Sequence, residues 1–214
     1  MPSSPPRLLL APALLGLALA CEVDKAADLC ESSTAILDAA GAPTGFERCA
    51  DGAMHRAEAL ATDADHTESA CPYTEADADT YEVYCVTDAE CVDAAYGACV
   101  AKSFGEGPGG CGCSYACTTD ADCGADEACV PDGLVEGVLM HSTCAPASCR
   151  TDADCPGGEC GLSLFNNGCA WGAVLACRSE EDACRTDADC DAPEACALTG
   201  GAETWACARP DCVF

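Results

Sequence analysis

Cys117-Thr118-Thr119-Asp120-Ala121-Asp122-Cys123 is one of four copies of a single pattern, Cys-x-Thr-Asp-Ala-acid-Cys. The others are Cys85-Val86-Thr87-Asp88-Ala89-Glu90-Cys91, Cys149-Arg150-Thr151-Asp152-Ala153-Asp154-Cys155 and Cys184-Arg185-Thr186-Asp187-Ala188-Asp189-Cys190. Their first cysteines stand 32, 32 and 35 residues apart, a period regular enough to define repeats. Thr followed three residues later by Asp or Glu resembles the start of a capped helix. Each copy therefore reads as one helical turn held at both ends by cysteines. A third cysteine follows each turn (Cys99, Cys129, Cys160, Cys196), and a fourth lies beyond a loop (Cys111, Cys144, Cys169, Cys207).

The rest of the composition explains why cysteine has to hold the chain together. Of 214 residues 23 are cysteine, and 37 acidic side chains face 9 basic ones, a net charge of −28. Beyond Cys21, Leu, Ile, Val and Phe together number only 24 in 193 residues. So little apolar surface under so much charge would ordinarily leave a chain unfolded. Cross-links change the balance, each contributing roughly 2–4 kcal/mol, chiefly by restricting the unfolded chain. The expected fold is small and disulfide-rich: tandem cysteine-stapled modules with short β-hairpins and one-turn helices, and little regular secondary structure. The core is then the bridges, with small apolar clusters around Trp171, Trp205, Tyr96 and Phe165. Such cysteine usage belongs to an oxidising compartment, and the negative field repels nucleic acid.

Four cysteines allow three connectivities. A helical turn carries its two end cysteines further apart than the roughly 4.4–6.8 Å Cα separation of a bridge. First-to-third with second-to-fourth pairing is therefore expected: Cys85–Cys99 and Cys91–Cys111, Cys117–Cys129 and Cys123–Cys144, Cys149–Cys160 and Cys155–Cys169, Cys184–Cys196 and Cys190–Cys207. First-to-fourth with second-to-third stays open, as does Cys177 in place of Cys169. Six further cysteines, Cys30, Cys49, Cys71, Cys113, Cys177 and Cys212, form an even remainder.

The modules resemble the short cysteine-rich modules of Dickkopf N-terminal regions and whey-acidic-protein domains, and most of all the tandem modules of cysteine-rich bacterial lipoproteins. The resemblance covers residues 85–212. The doubled cysteine of whey-acidic-protein domains is absent, which weakens the protease-inhibitor role that family would imply.

Upstream, Leu8 to Ala20 is an apolar stretch too short to span a bilayer, which takes about 20 residues. It has the form of a signal sequence with small residues before the cut. Its end, Leu17-Ala18-Leu19-Ala20-Cys21, resembles the lipobox of bacterial lipoproteins, which implies a diacylglyceryl group on the Cys21 thiol. Ala18 stands where that family usually has Leu, and Ala18-Leu19-Ala20 also satisfies ordinary signal cleavage. Setting Cys21 aside leaves an even 22 cysteines. With Glu22 following rather than Asp, outer-membrane placement is expected.

The domain reading is a signal peptide at 1–20, an N-terminal cysteine-containing region at 21–84, and repeats at 85–116, 117–148, 149–183 and 184–214, the last with a truncated end. Within the N-terminal region, Lys25–Leu37 suggests a short helix carrying Cys30. Thr44 to Arg56 suggests a β-hairpin turned by Asp51-Gly52, and Glu58 to Thr80 an exposed loop. Leu134–Met140 and Trp171–Cys177 are further strand candidates.

Chemistry is sparsely signalled. The three histidines, His55, His66 and His141, stand at no catalytic spacing, and no hydrolase, metalloprotease or nucleotide-binding motif occurs. Cys111-Gly112-Cys113 reads as two structural cysteines with different partners. Zinc ligation by cysteine needs thiolates, which an oxidising compartment removes, so no metal site and no cofactor are expected. Acid pairs one residue apart (Asp63/Asp65, Asp77/Asp79, Asp120/Asp122, Asp152/Asp154, Asp187/Asp189) have calcium's donor chemistry but lack a complete calcium loop. The expectation is a non-catalytic surface scaffold, partnered by the membrane through a lipid anchor and by an extracellular protein or glycan. The alternatives are a calcium-dependent binding module and a secreted protease-inhibitor-like protein using the Pro131–Ser142 loop.

Overall fold

A computed structural model describes residues 30–66, 68–102, 109–134, 139, 141–166, 171–198 and 204–209. Cys21, Cys169 and Cys212 lie outside them, as do most of Leu134–Met140 and the Phe165 and Trp171 side chains. The strands are β1 (Ser33–Leu37), β2 (Pro43–Cys49), β3 (Met54–Arg56), β4 (Glu82–Val83), β5 (Gly97–Lys102), β6 (Gly110–Tyr115), β7 (Glu127–Val130), β8 (Thr143–Pro146), β9 (Cys160–Asn166), β10 (Trp171–Cys177), β11 (Ala195–Leu198) and β12 (Trp205–Ala208). Single 3-10 turns are the only helical elements among the described residues. The fold is therefore small and disulfide-rich, with little regular structure.

Each Cys-x-Thr-Asp-Ala-acid-Cys segment makes the same local object. A 3-10 turn, tighter than the α-turn expected, spans Asp88–Glu90, Asp120–Asp122, Asp152–Asp154 and Asp187–Asp189. The second acid caps it: Asp122 accepts the N–H groups of Thr118 and Thr119, both at 2.9 Å, and Asp154 and Asp189 do the same in their copies. Glu90, one methylene longer, accepts the Val86 N–H and the Thr87 hydroxyl instead, so the capping box does not close in the first copy. The first acid has a separate task. Asp88, Asp120, Asp152 and Asp187 accept the backbone N–H of Cys99, Cys129, Cys160 and Cys196, at 2.7–2.9 Å. This latch brings the third cysteine to the turn that carries the first.

The bridges follow: Cys85–Cys99, Cys117–Cys129, Cys149–Cys160 and Cys184–Cys196 join first to third, each with a Cα separation of 5.8 Å. Cys123–Cys144 and Cys190–Cys207 join second to fourth. One pair differs from expectation, Cys91 bonding Cys113 and not Cys111, and in the third repeat the open alternative holds, Cys155 bonding Cys177 in place of Cys169. Strand register supplies the reason. The third cysteine lies on the first strand of a hairpin, and the second cysteine of the turn takes whichever cysteine stands directly across. Those cross-strand pairs are Cys99 and Cys113, Cys129 and Cys144, Cys160 and Cys177, Cys196 and Cys207. Cys111, displaced from that register, bonds Cys71, and Cys30 bonds Cys49.

The N-terminal region and the third repeat share one five-stranded sheet, ordered β1-β2-β3-β9-β10. Residues 33–37 of the segment expected to be helical form β1 instead. Thr34 and Ile36 are β-branched, and pairing with β2 satisfies a backbone that one short helix could not. The β2–β3 hairpin turns at Asp51-Gly52, Gly52 taking φ +97° where a side chain would be strained. Residues 58–80 are less free than a loop: Thr62 N–H donates to Thr118, Cys71 N–H to Cys99, and a capped 3-10 turn fills Glu75–Asp77.

The principal core joins Phe46, Val130, Leu134, Leu162 and Leu175 with Cys149, Cys155 and Cys160. Phe46 rather than Tyr96 anchors apolar packing, since Tyr96 is 49% exposed. In the first repeat the buried cluster is sulfur alone, Cys85, Cys91, Cys99 and Cys111. Trp205, fully buried, seals the fourth repeat beneath Cys184 and Cys196.

Candidate functional site

In so acidic a chain, each basic side chain is informative. Adjacent residues of β3 reach two different repeats. His55 Nδ1 lies 2.7 Å from Asp152, and the fully buried Arg56 holds Asp120 at 2.9 and 3.1 Å. Both partners are the latching acids, so the latch of one repeat doubles as its dock onto the N-terminal sheet. The Asp152 hydrogen bond raises the His55 pKa above its ordinary value against the opposing effect of burial.

A second polar centre surrounds Glu159, 2% exposed. Its carboxylate sits 2.8 Å from Arg185 and 3.5 Å from Arg178, and Arg185 also pairs with Asp51. The Arg178 guanidinium lies 3.7 Å over the Trp205 ring. Gly161 is required beneath it, because a Cβ there would come within 2.8 Å of Arg178. A cavity of about 380 Å³ opens beside this network, lined by Arg48, Asp51, Ser163, Arg178, Arg185 and Asp187. Three arginines line it against two aspartates, but Arg178 and Arg185 are already engaged by Glu159, which suits a structural joint.

The third centre joins residues that sequence spacing did not connect. His66, Glu68, Ser114 and His141 converge where the 60s segment crosses β6 and the approach to β8. The segment is pinned on both sides: the buried Ser142 hydroxyl lies 2.9 Å from the Asp63 carbonyl, and Ala101 N–H donates to Ser69. His141 Nδ1 stands 2.6 Å from Glu68 Oε1, His66 Nδ1 3.3 Å from Glu68 Oε2, and the two ring centroids are 4.8 Å apart. Burial lowers the His141 pKa. Burial pushes the Glu68 carboxyl up, but its own backbone N–H, His141, Ser114 and His66 together hold it below the usual range. The one sequence signal was His66-x-Glu68, which an extended chain places on one face; His141, 75 residues on, had none.

Ser114 Oγ, His141 Nε2 at 3.2 Å and Glu68 resemble a nucleophile, base and acid in composition. As in a working triad, Ser114 meets one end of the imidazole at Nε2 and Glu68 the other at Nδ1. Unlike one, the Ser114 hydroxyl also lies 3.1 Å from Glu68 Oε1, so the acid itself can accept its proton. Ser114 is also 5% exposed.

The sulfur clusters with metal-like spacing, such as Cys117, Cys123 and Cys144, are made of bridged cysteines. Both acids of each repeat's pair are engaged by backbone N–H groups, which leaves the pair pointing at different donors and not at one cation. Of the described residues of the Pro131–Ser142 loop, Pro131, Leu134 and Ser142 are buried, Asp132, Leu139 and His141 half-buried, and Gly133 exposed. No helix among the described residues is long and apolar enough to cross a membrane. Ten bridges among the described residues indicate an extracellular or otherwise oxidising environment. No family model, no curated protein and no solved structure matches the chain.

Proposed function

We propose that this is an exported, non-catalytic scaffold, held at the outer face of a bacterial membrane by a lipid on Cys21 and presenting its bridged repeats to an extracellular protein or glycan. One observation carries the reading: all 20 described cysteines are bridged, which leaves Cys21, Cys169 and Cys212. Three thiols cannot all pair within one chain, and Cys21 is the one preceded by Leu17-Ala18-Leu19-Ala20. The resemblance to tandem-module bacterial lipoproteins supports it, and so does the use of the scarce arginines as joints between repeats.

Intact-mass analysis of the mature protein tests the proposal. The expected result is an N-terminal Cys21 bearing diacylglycerol, no free thiol after denaturation without reduction, and recovery in the membrane fraction. A soluble mature form with an unmodified Cys21 thiol would overturn the anchor and leave a secreted scaffold.

A further inference from the structure

We propose that His66, Glu68 and His141 form a site for one divalent transition-metal ion of the zinc class, bound through the Nδ1 atoms of both imidazoles and the Glu68 carboxylate. Hydrogen-bond accounting carries the proposal. His66 Nε2 lies 2.8 Å from the Tyr96 carbonyl, which can only accept, so Nε2 bears the proton and Nδ1 is a bare lone pair. Ser114 Oγ lies 3.1 Å from Glu68 Oε1 and 3.2 Å from His141 Nε2 and has one proton for the two contacts. His141 Nδ1 stands 2.6 Å from Glu68 Oε1, and any proton held between them is the one that a metal cation displaces to water on binding.

Both Nδ1 atoms face the two oxygens of one carboxylate, two nitrogen and two oxygen donors gathered for one cation. Two imidazole nitrogens select zinc, nickel or copper over calcium, which takes oxygen. Ligand bonds of about 2.0–2.1 Å place neighbouring donors of a tetrahedral ion about 3.3 Å apart. The separation of His66 Nδ1 from Glu68 is 3.3 Å, and the 2.6 Å His141 contact needs to open by about 0.7 Å. Tyr96 and Ser114 act as outer partners that fix ring orientation, the role such groups play in zinc sites. None of this depends on the lipid anchor.

Non-specific attraction to the acidic surface has to be separated from site binding. The oxidised full chain is therefore titrated with zinc by calorimetry in about 0.5 M NaCl, where surface charges are screened. One ion per chain is expected. Substituting either ligand, His66→Asn or His141→Asn, should weaken affinity by more than the about 10–100-fold typical of outer-partner changes, with Ser114→Ala falling inside that range. His55→Asn is the control and should leave affinity unchanged. Copper(II) bound to the same chain should show electron-spin coupling to two imidazole nitrogens, reduced to one in each ligand variant. Binding that vanishes in the salt, survives His66→Asn/His141→Asn undiminished, or shows no nitrogen coupling would overturn the site. Circular dichroism of each variant, with its bridges intact, confirms that the fold is retained.

Discussion

Glu159 and Glu68 are both carboxylates drawn out of water between two basic side chains, yet their surroundings differ in kind. Glu159 sits between guanidiniums that carry their charge at any accessible pH, and it welds the third repeat to the fourth and to the N-terminal hairpin. Glu68 sits between two imidazoles whose Nδ1 atoms both face it and can serve as metal ligands. The first centre is complete as the chain folds. The second has the donors of a site that a cation would close. A buried acid with permanent counter-charges thus marks a joint, and one faced by imidazole nitrogens marks a place for a ligand.

The largest effect that would break this comparison lies at Glu159. Glu159→Gln leaves Arg178 buried beside Arg185 without the carboxylate that contacts it, and should cost about 3–5 kcal/mol in denaturant unfolding with bridges intact. Glu68→Gln should change metal-free stability by less than about 1 kcal/mol and act on metal binding instead. Equal losses at the two positions would erase the distinction.

A smaller effect separates the two duties of the latching acids. Asp187→Ala removes an acceptor for one backbone N–H and should cost about 1–2 kcal/mol. Asp120→Ala removes the same acceptor and also strands Arg56, and should cost about 2–3 kcal/mol more. Identical midpoint shifts would mean that Arg56 does not dock the second repeat.

The smallest effect is a pH slope. Asp152 raises the His55 pKa in the folded state, so protonation favours folding. That increment is fully present below the unfolded value of about 6.5 and is lost as pH rises through the higher folded value. His55→Gln should flatten this part of the stability profile, read from melting temperatures across pH 5 to 9. An unchanged slope would assign it to another group.

What the sequence disclosed follows from the range over which each feature is determined. The Cys-x-Thr-Asp-Ala-acid-Cys turn was legible because its capping acid acts within five residues. The latch was not, although Asp88, Asp120, Asp152 and Asp187 never vary among the copies: its partner is a backbone N–H, which has no side-chain signature. Cys113 and Cys177 replaced Cys111 and Cys169 because hairpin register chooses between nearby cysteines, and loops of differing length hide that register. The β1 strand was lost to a helical reading because only β2, supplied by the fold, gives it a partner. The site around Glu68 was least visible, since His66 and His141 meet only after Ser142 and the Cys71–Cys111 bridge place their segments together.

The pairing of His55 in β3 with Gly161 in β9 bears on how the chain is made. A ribosome delivers β1, β2 and β3 first, and the Cys30–Cys49 bridge can close as soon as they reach an oxidising compartment. The outer edge of β3 then waits, unpaired, through the synthesis of two whole repeats before β9 arrives to cover it. Exposed strand edges invite pairing with other molecules. Here β3 offers only three residues, with His55 and Arg56 among them, so the nascent edge is short and positively charged in part. A growing chain guarded in this way can tolerate the delay.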